Sequence, residues 1–248
     1  MSLARLHLVC ACMTLASLLS AQGEAWVGCE RKELELAMDR YEQLMVVRTS
    51  WKLEMAMLSY GDAGGPVADR STSIVMRDGA FVKADQLGLV TYQNDRICAV
   101  ADPEERTVVL SDGRPVMELL THQRLDVLLM GSTRLSRQVN ALGTLFRVQF
   151  DPKISAYSHI DVGYDARGFL TKVELQWHPT LLNEPSSPLA PVRTPRVELT
   201  IAPPVELSAL DRAQLRKGLS ERLRQDGTGY VPIGPWAGYR IVDTRYMP

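Results

Sequence analysis

The stretch Trp51-Lys52-Leu53-Glu54-Met55-Ala56-Met57 decides the fold class. Large apolar side chains stand at every second position with charged or small ones between them, as a strand with one covered face requires. Just before it, from Glu30 to Val47, the period is helical: Leu34, Leu36, Tyr41, Leu44 and Met45 recur on a broad face, with Glu33, Asp39, Arg40 and Glu42 between them. Neither Gly nor Pro interrupts this stretch. The chain therefore passes from a helix into a strand near residue 49.

Downstream, short strand-like runs centre on Ser73–Arg77, Ala80–Ala84, Gly88–Gln93, Arg96–Ala101 and Arg106–Ser111. Asp78-Gly79, Asn94-Asp95, Asp102-Pro103 and Asp112-Gly113 supply turns between them. Runs this close together cannot be parallel, because a parallel crossover takes about a dozen residues. The expectation is an antiparallel meander. Residues 116–141 return to a helical texture with Met117, Leu120, Leu125, Leu128 and Leu129 apolar, and Gly131-Ser132 divides them into two short helices. Strands resume at Thr144–Phe150, Ala156–Tyr164 and Phe169–His178, the last two joined by a turn at 165–168.

Between Pro179 and Pro195 the composition shifts to Pro, Ser and Asn, the texture of an exposed loop, and Arg196–Ile201 is again strand-like. Ser208 then opens an amphipathic helix, with Asp211 completing a capping box and Leu210, Leu215, Leu219 and Leu223 as its stripe, ended by Asp226-Gly227. A short strand at Tyr239–Asp243 closes the chain.

The N-terminus carries a translocation signal. Arg5 gives the basic start and Leu8 to Ala21 the apolar run. At about 14 residues that run is shorter than the roughly 20 a membrane-spanning helix needs, so residues 1–23 read as a cleaved signal peptide. Small side chains fit a cut after Gly23 or after Ala25. A lipid anchor on Cys29 is the rival, but Trp26 stands where Leu is usual and Gln22, Gly23 and Glu24 separate that cysteine from the apolar run.

Once the signal is removed, Cys29 and Cys98 remain. In an oxidising compartment they pair most simply as a disulfide, whose loop of about 70 residues would contribute about 4 kcal/mol. Two unpaired thiols, one buried in a strand, are the alternative. The mature chain of about 220 residues is long enough to bury one large core. With 28 Lys and Arg against 29 Asp and Glu the net charge is −1. There is neither a basic face for nucleic acid nor an acidic tail.

Chemistry-bearing motifs are few. Gly61-Asp62-Ala63-Gly64-Gly65-Pro66 resembles the signature around the serine-protease nucleophile, but Ala63 has no hydroxyl to acylate, and the reading is a turn. His159 and Asp161 share a strand face, most simply a solvated one rather than a metal site or proton relay. No phosphate loop or nucleophile elbow is present. No catalytic residue, metal or cofactor is expected, and the protein reads as a binder rather than an enzyme.

The order of segments resembles a known group. One helix, the strand Trp51 to Met57, a meander opening on Ser73-Ile74-Val75-Met76-Arg77-Asp78-Gly79, and the Ile160–Trp177 hairpin are similar to secreted bacterial proteins with the outer-membrane lipoprotein carrier and receptor (LolA/LolB-like) fold, over roughly Glu30 to Thr200. The resemblance implies a mainly β, α+β fold: a curved antiparallel half-barrel over 26–203, with helices covering its open side and a concave apolar face for acyl chains. Trp51, Leu53, Met55 and Met57 would line that face. Residues 204–248, read as a helix and an aromatic tail packed on the same domain, exceed the family's minimal pattern.

Two functional readings follow. The first is a periplasmic or outer-membrane-associated protein, not integral to the membrane after signal cleavage, that binds a lipid or lipidated protein. The second is a structural accessory subunit of an envelope assembly. In that case Tyr230 and Trp236, within Gly229-Tyr230-Val231-Pro232-Ile233-Gly234-Pro235-Trp236, would anchor a partner protein.

Overall fold

The fold is that of a computed structural model, which describes residues 25–86, 88–113, 129, 131–181 and 192–245. In chain order the elements are β1 (Val27–Gly28), α1 (Arg31–Val47), β2 (Ser50–Tyr60), β3 (Val67–Asp78), β4 (Phe81–Gln86), β5 (Leu89–Gln93), β6 (Ile97–Asp102) and β7 (Thr107–Asp112). There follow β8 (Ser132–Asn140), β9 (Gly143–Phe150), β10 (Tyr157–Asp165), β11 (Leu170–Trp177), β12 (Thr180–Leu181), β13 (Val192–Arg193) and β14 (Arg196–Ile201). The C-terminal section holds α2 (Ala209–Lys217), β15 (Leu223–Asp226), β16 (Gly229–Pro232), a 3-10 turn (Gly234–Trp236) and β17 (Arg240–Asp243).

One sheet of 13 strands organises the molecule, in the order β1-β8-β9-β10-β11-β14-β2-β3-β4-β5-β6-β7-β17. It is curved and does not close into a barrel. The meander β2 to β7 is antiparallel throughout, as its short turns require. The parallel pair is β17 on β7, reached only after a long excursion of the chain.

The hairpin turns share one device. The Asn94 side-chain oxygen accepts from the amides of Arg96 and Ile97, both at 2.9 Å. Asp102 does the same for Glu104 and Glu105, Asn140 for Leu142 and Gly143, and Asp165 for Arg167 and Phe169. Each side chain thus satisfies amides that the tight reversal takes out of the ladder. Gly79, between β3 and β4, has φ 61°, the left-handed region where a Cβ is strained.

Because side chains alternate across the strands, the sheet has two covered faces. On the inner face α1 lies over two clusters: Leu34 with Phe146, Val148, Phe150, Ile160, Val162 and Tyr164, then Met45 with Trp51, Leu53, Val75, Val82, Ala84, Phe169 and Ile201. Within the helix Leu34, Tyr41, Leu44 and Met45 face the sheet as their spacing predicts. Leu36 does not, and is 57% exposed. On the outer face the C-terminal section covers the far strands, where Leu219, Leu223 and Trp236 pack on Tyr92, Ala99, Ala101, Val108 and Leu110. Arg216 of α2 also reaches Asp78 at 2.6 Å.

Several expectations are corrected. Residues 132–140, taken as helix, form β8, paired with β9 from Ser132 to Asn140. Leu120, Leu125 and Leu128, expected to cover the open side, lie outside the described residues. The helix opened by Ser208 has its capping box, with the Asp211 amide 3.1 Å from the Ser208 hydroxyl, but ends at Lys217. Leu223 belongs to β15, Asp226-Gly227 turns the β15–β16 hairpin, and Leu210 is 68% exposed. Within the 179–195 stretch, expected as a loop, Thr180 and Leu181 pair with Arg193 and Val192.

The expected disulfide is absent. Cys29 and Cys98 are both free thiols. Cys29 packs at the Leu34 cluster beside β8, whereas Cys98 sits in β6 between Gln93 and Ser111, nine places further along the strand order. Burial pushes both thiols up from the ordinary cysteine value, with the Glu33 charge adding to the effect at Cys29.

Candidate functional site

Along β2 the inner face is graded. Trp51 and Leu53 are 1% and 7% exposed, sealed beneath Met45 of α1. Met55 is partly buried at the margin of the same cluster, and Met57 is partly exposed. The cross-strand neighbours follow the gradient. On β3, Trp51, Leu53, Met55 and Met57 stand opposite Arg77, Val75, Ser73 and Ser71. On β14, Met55 faces Ile201 and Met57 faces Leu199.

The strip thus runs from dry core to an accessible apolar margin. It is continued sideways by Val173 of β11, which pairs with Leu199. Unbranched thioethers at its open end suit a surface that re-packs around variable apolar groups. Shallow depressions of about 400 Å³ lie elsewhere, one on α1 at Asp39, Glu42, Gln43, Val46 and Val47 and one on α2 at Ala209, Arg212, Ala213, Arg216 and Lys217. Neither touches Trp51 to Met57.

The outer face of the same strands carries charge. The row Arg147, Asp161, Glu174 and Glu198 crosses β9, β10, β11 and β14 in register. Arg147 holds both oxygens of Asp161, at 2.7 and 2.6 Å, and its guanidinium lies 4.3 Å from the Trp26 ring. Lys172 is 2.8 Å from Glu174 and 3.7 Å from Glu198, and Arg196 approaches both carboxylates at 3.8 and 3.9 Å.

His159, Asp161 and Glu174 bring ligand atoms within 4.8 Å of one another. The carboxylate oxygens there already have fixed cations on them, Arg147 and Lys172, so a divalent ion would have to displace salt bridges. Sequence reading placed His159 and Asp161 on a solvated face. The structure corrects this, because Asp161 and Glu174 are 3% and 8% exposed. Burial lowers the basicity of His159, and Arg147 lowers it further, while Asp161 and Glu174 act in the opposite sense. Sequence reading missed this ladder because only the pairing of four strands brings its charges together.

The glycine-rich stretch 61–66 is a turn. Asp62 accepts from the Thr194 hydroxyl at 2.7 Å and the Thr194 amide at 3.2 Å, tying the β2–β3 reversal to the start of β14. These bonds hold its carboxyl below the usual carboxylate range. Of the two residues expected to anchor a partner, Trp236 is 5% exposed and packs edge-on against Tyr92 at 5.8 Å, with Arg222 over both rings. It anchors the chain's own C-terminal section and has no free face to offer. Tyr230 is partly buried against the same cluster, beneath the Arg245 guanidinium at 4.9 Å.

No protein-family model matches the chain, and no curated protein matches it. Among solved structures it is similar to a LolA superfamily protein of Nitrosomonas europaea, at 10% identity and a TM-score of 0.30 over 73% of this chain and 96% of that one. It is also similar to the lipoprotein LppX of Mycobacterium tuberculosis, at 14% identity and a TM-score of 0.37 over 73% of this chain and all of that one. A DUF1329 family protein of Desulfovibrio piger gives 10% identity and a TM-score of 0.30 over 73% and 96% of the two chains.

Proposed function

We propose that this protein is an exported, non-catalytic component of the bacterial envelope that holds a lipid, or the lipid moiety of a lipoprotein, on the inner face of its open sheet. The observation that carries this reading is the gradient along β2, from sealed Trp51 and Leu53 to half-buried Met55 and Met57. A face that served only as core would be closed along its length. Here the strip opens on two methionines and Leu199, a width of apolar surface suited to an acyl chain.

The N-terminal junction supports cleavage ahead of Trp26. Val27 and Gly28 pair with Arg137 and Ser136 of β8, the Cys29 amide donates to the Leu135 carbonyl at 3.2 Å, and Trp26 stacks on Arg147. Cutting after Gly23 or Ala25 keeps all of these contacts, whereas an anchor on Cys29 would discard β1 and draw a packed side chain out of the core. Among the described residues no helix is long and apolar enough to cross a membrane.

The test is displacement of a fluorescent apolar probe by a fatty acid. The wild-type protein should bind both, and Met57→Asp should abolish binding while keeping the wild-type circular dichroism, since Met57 lies outside the sealed cluster. Wild-type binding that survives in Met57→Asp overturns this placement of the ligand.

A further inference from the structure

Two buried polar atoms on the inner face have no partner among the described residues, the Ser71 hydroxyl opposite Met57 and the Trp51 indole N–H. The indole N–H of Trp51 is buried without a hydrogen-bond acceptor, on a residue that is 1% exposed. Its cluster mates Met45, Leu53, Val75, Val82, Ala84, Phe169 and Ile201 have apolar side chains. A donor left dry costs about 1–3 kcal/mol, and a phenylalanine there would fill the space without that cost. The cost is removed when an acceptor arrives.

We propose that Trp51 is the specificity residue of the inner-face site, donating its indole N–H to the carbonyl oxygen of an acyl ester or amide whose hydrocarbon chain lies along Met55 and Met57. This rests on the apolar-ligand reading and names the ligand's chemistry within it. An indole N–H donates and cannot accept, so it selects a group with an acceptor oxygen, such as a carbonyl, over a donor-only ammonium. The surrounding side chains exclude water as a competitor. Met45 in the same cluster and Met55 at its margin are unbranched, and can re-pack around an entering chain. Arg77, opposite Trp51 on the neighbouring strand, puts a positive charge on the same row for the polar end of the ligand.

The experiment measures competition for a fluorescent apolar probe by methyl tetradecanoate and by pentadecane, on wild-type protein and Trp51→Phe. The wild type should prefer the ester by about tenfold, and Trp51→Phe should lose that preference by weakening the ester alone. A shift of one indole N–H proton resonance on adding the ester but not the alkane, in a peak missing from Trp51→Phe, supports the same contact without relying on affinity. Equal preference in both proteins, or none in either, overturns the role of Trp51 and leaves the apolar site standing. Failure of both compounds to displace the probe overturns the site and this inference together. A tetradecanoylated dipeptide in a parallel arm distinguishes the carbonyl's source: tighter binding than the methyl ester assigns it to a lipidated protein, equal or weaker binding to a free lipid.

Discussion

His159 borders a buried charge ladder, and its lowered basicity makes stability depend on pH. A base that takes up its proton less readily when folded leaves stability whole above its unfolded value, near pH 6.5, and erodes it as pH falls from there through the depressed folded value. Urea midpoints should therefore drop as the pH falls below about 6.5, and His159→Gln should flatten that drop; an unchanged profile would remove His159 as its cause. The neighbouring Arg147 and Asp161 pair gives a second outcome. Arg147→Met strands a carboxylate that is 3% exposed and should cost roughly 3 kcal/mol, while Arg147→Met with Asp161→Leu should recover most of the loss. Leu53→Ala in the sealed cluster should cost about 2–5 kcal/mol, and Leu210→Ala, on a residue 68% exposed, less than about 0.5 kcal/mol, both read from urea unfolding.

Elements differ in how far local pattern reveals them. The β2–β7 meander was legible because its turn side chains and alternating strands are local signals, and α1 followed from its spacing. Residues 132–140 misled because Leu135 and Val139, their apolar pair, stand four apart, which puts them on one face of a helix and of a strand alike. The same ambiguity made Leu215, Leu219 and Leu223 look like one helical stripe, although all three are buried and only the first is helical. Insertion of β14 between β11 and β2, and β17 lying parallel on β7, are contacts between distant segments that no local pattern carries. The gradient from Trp51 to Met57 was half legible: alternation gave the face, but only the position of α1 shows where it is sealed. At this scale the C-terminal section is a cover for the outer face, so a chain ended after Pro203 should bind the dye ANS and lose its cooperative urea transition. A sharp transition in the truncated chain would show that Tyr92, Val108 and Leu110 need no cover. Gly218 is the joint between α2 and that face, since a Cβ there would fall 2.3 Å from the Tyr92 ring, and Gly218→Ala should lower the urea midpoint.

The whole molecule is an open sheet with two different covers, a helix on the inner face and the C-terminal section on the outer one. The two covers divide the labour. The outer cover packs on the far strands and the charge ladder ties β9, β10, β11 and β14 together, while the inner face is sealed at Trp51 and partly exposed at Met57. On the proposed function this face carries an acyl chain in the cell. Native mass spectrometry with lipid extraction, on protein released gently from the envelope, tests it most directly. The expected result is the cleaved chain plus an acyl species of defined mass, which Met57→Asp loses. Wild-type protein that emerges from the same release at the bare mass of the cleaved chain, with no lipid in the extract, would contradict it.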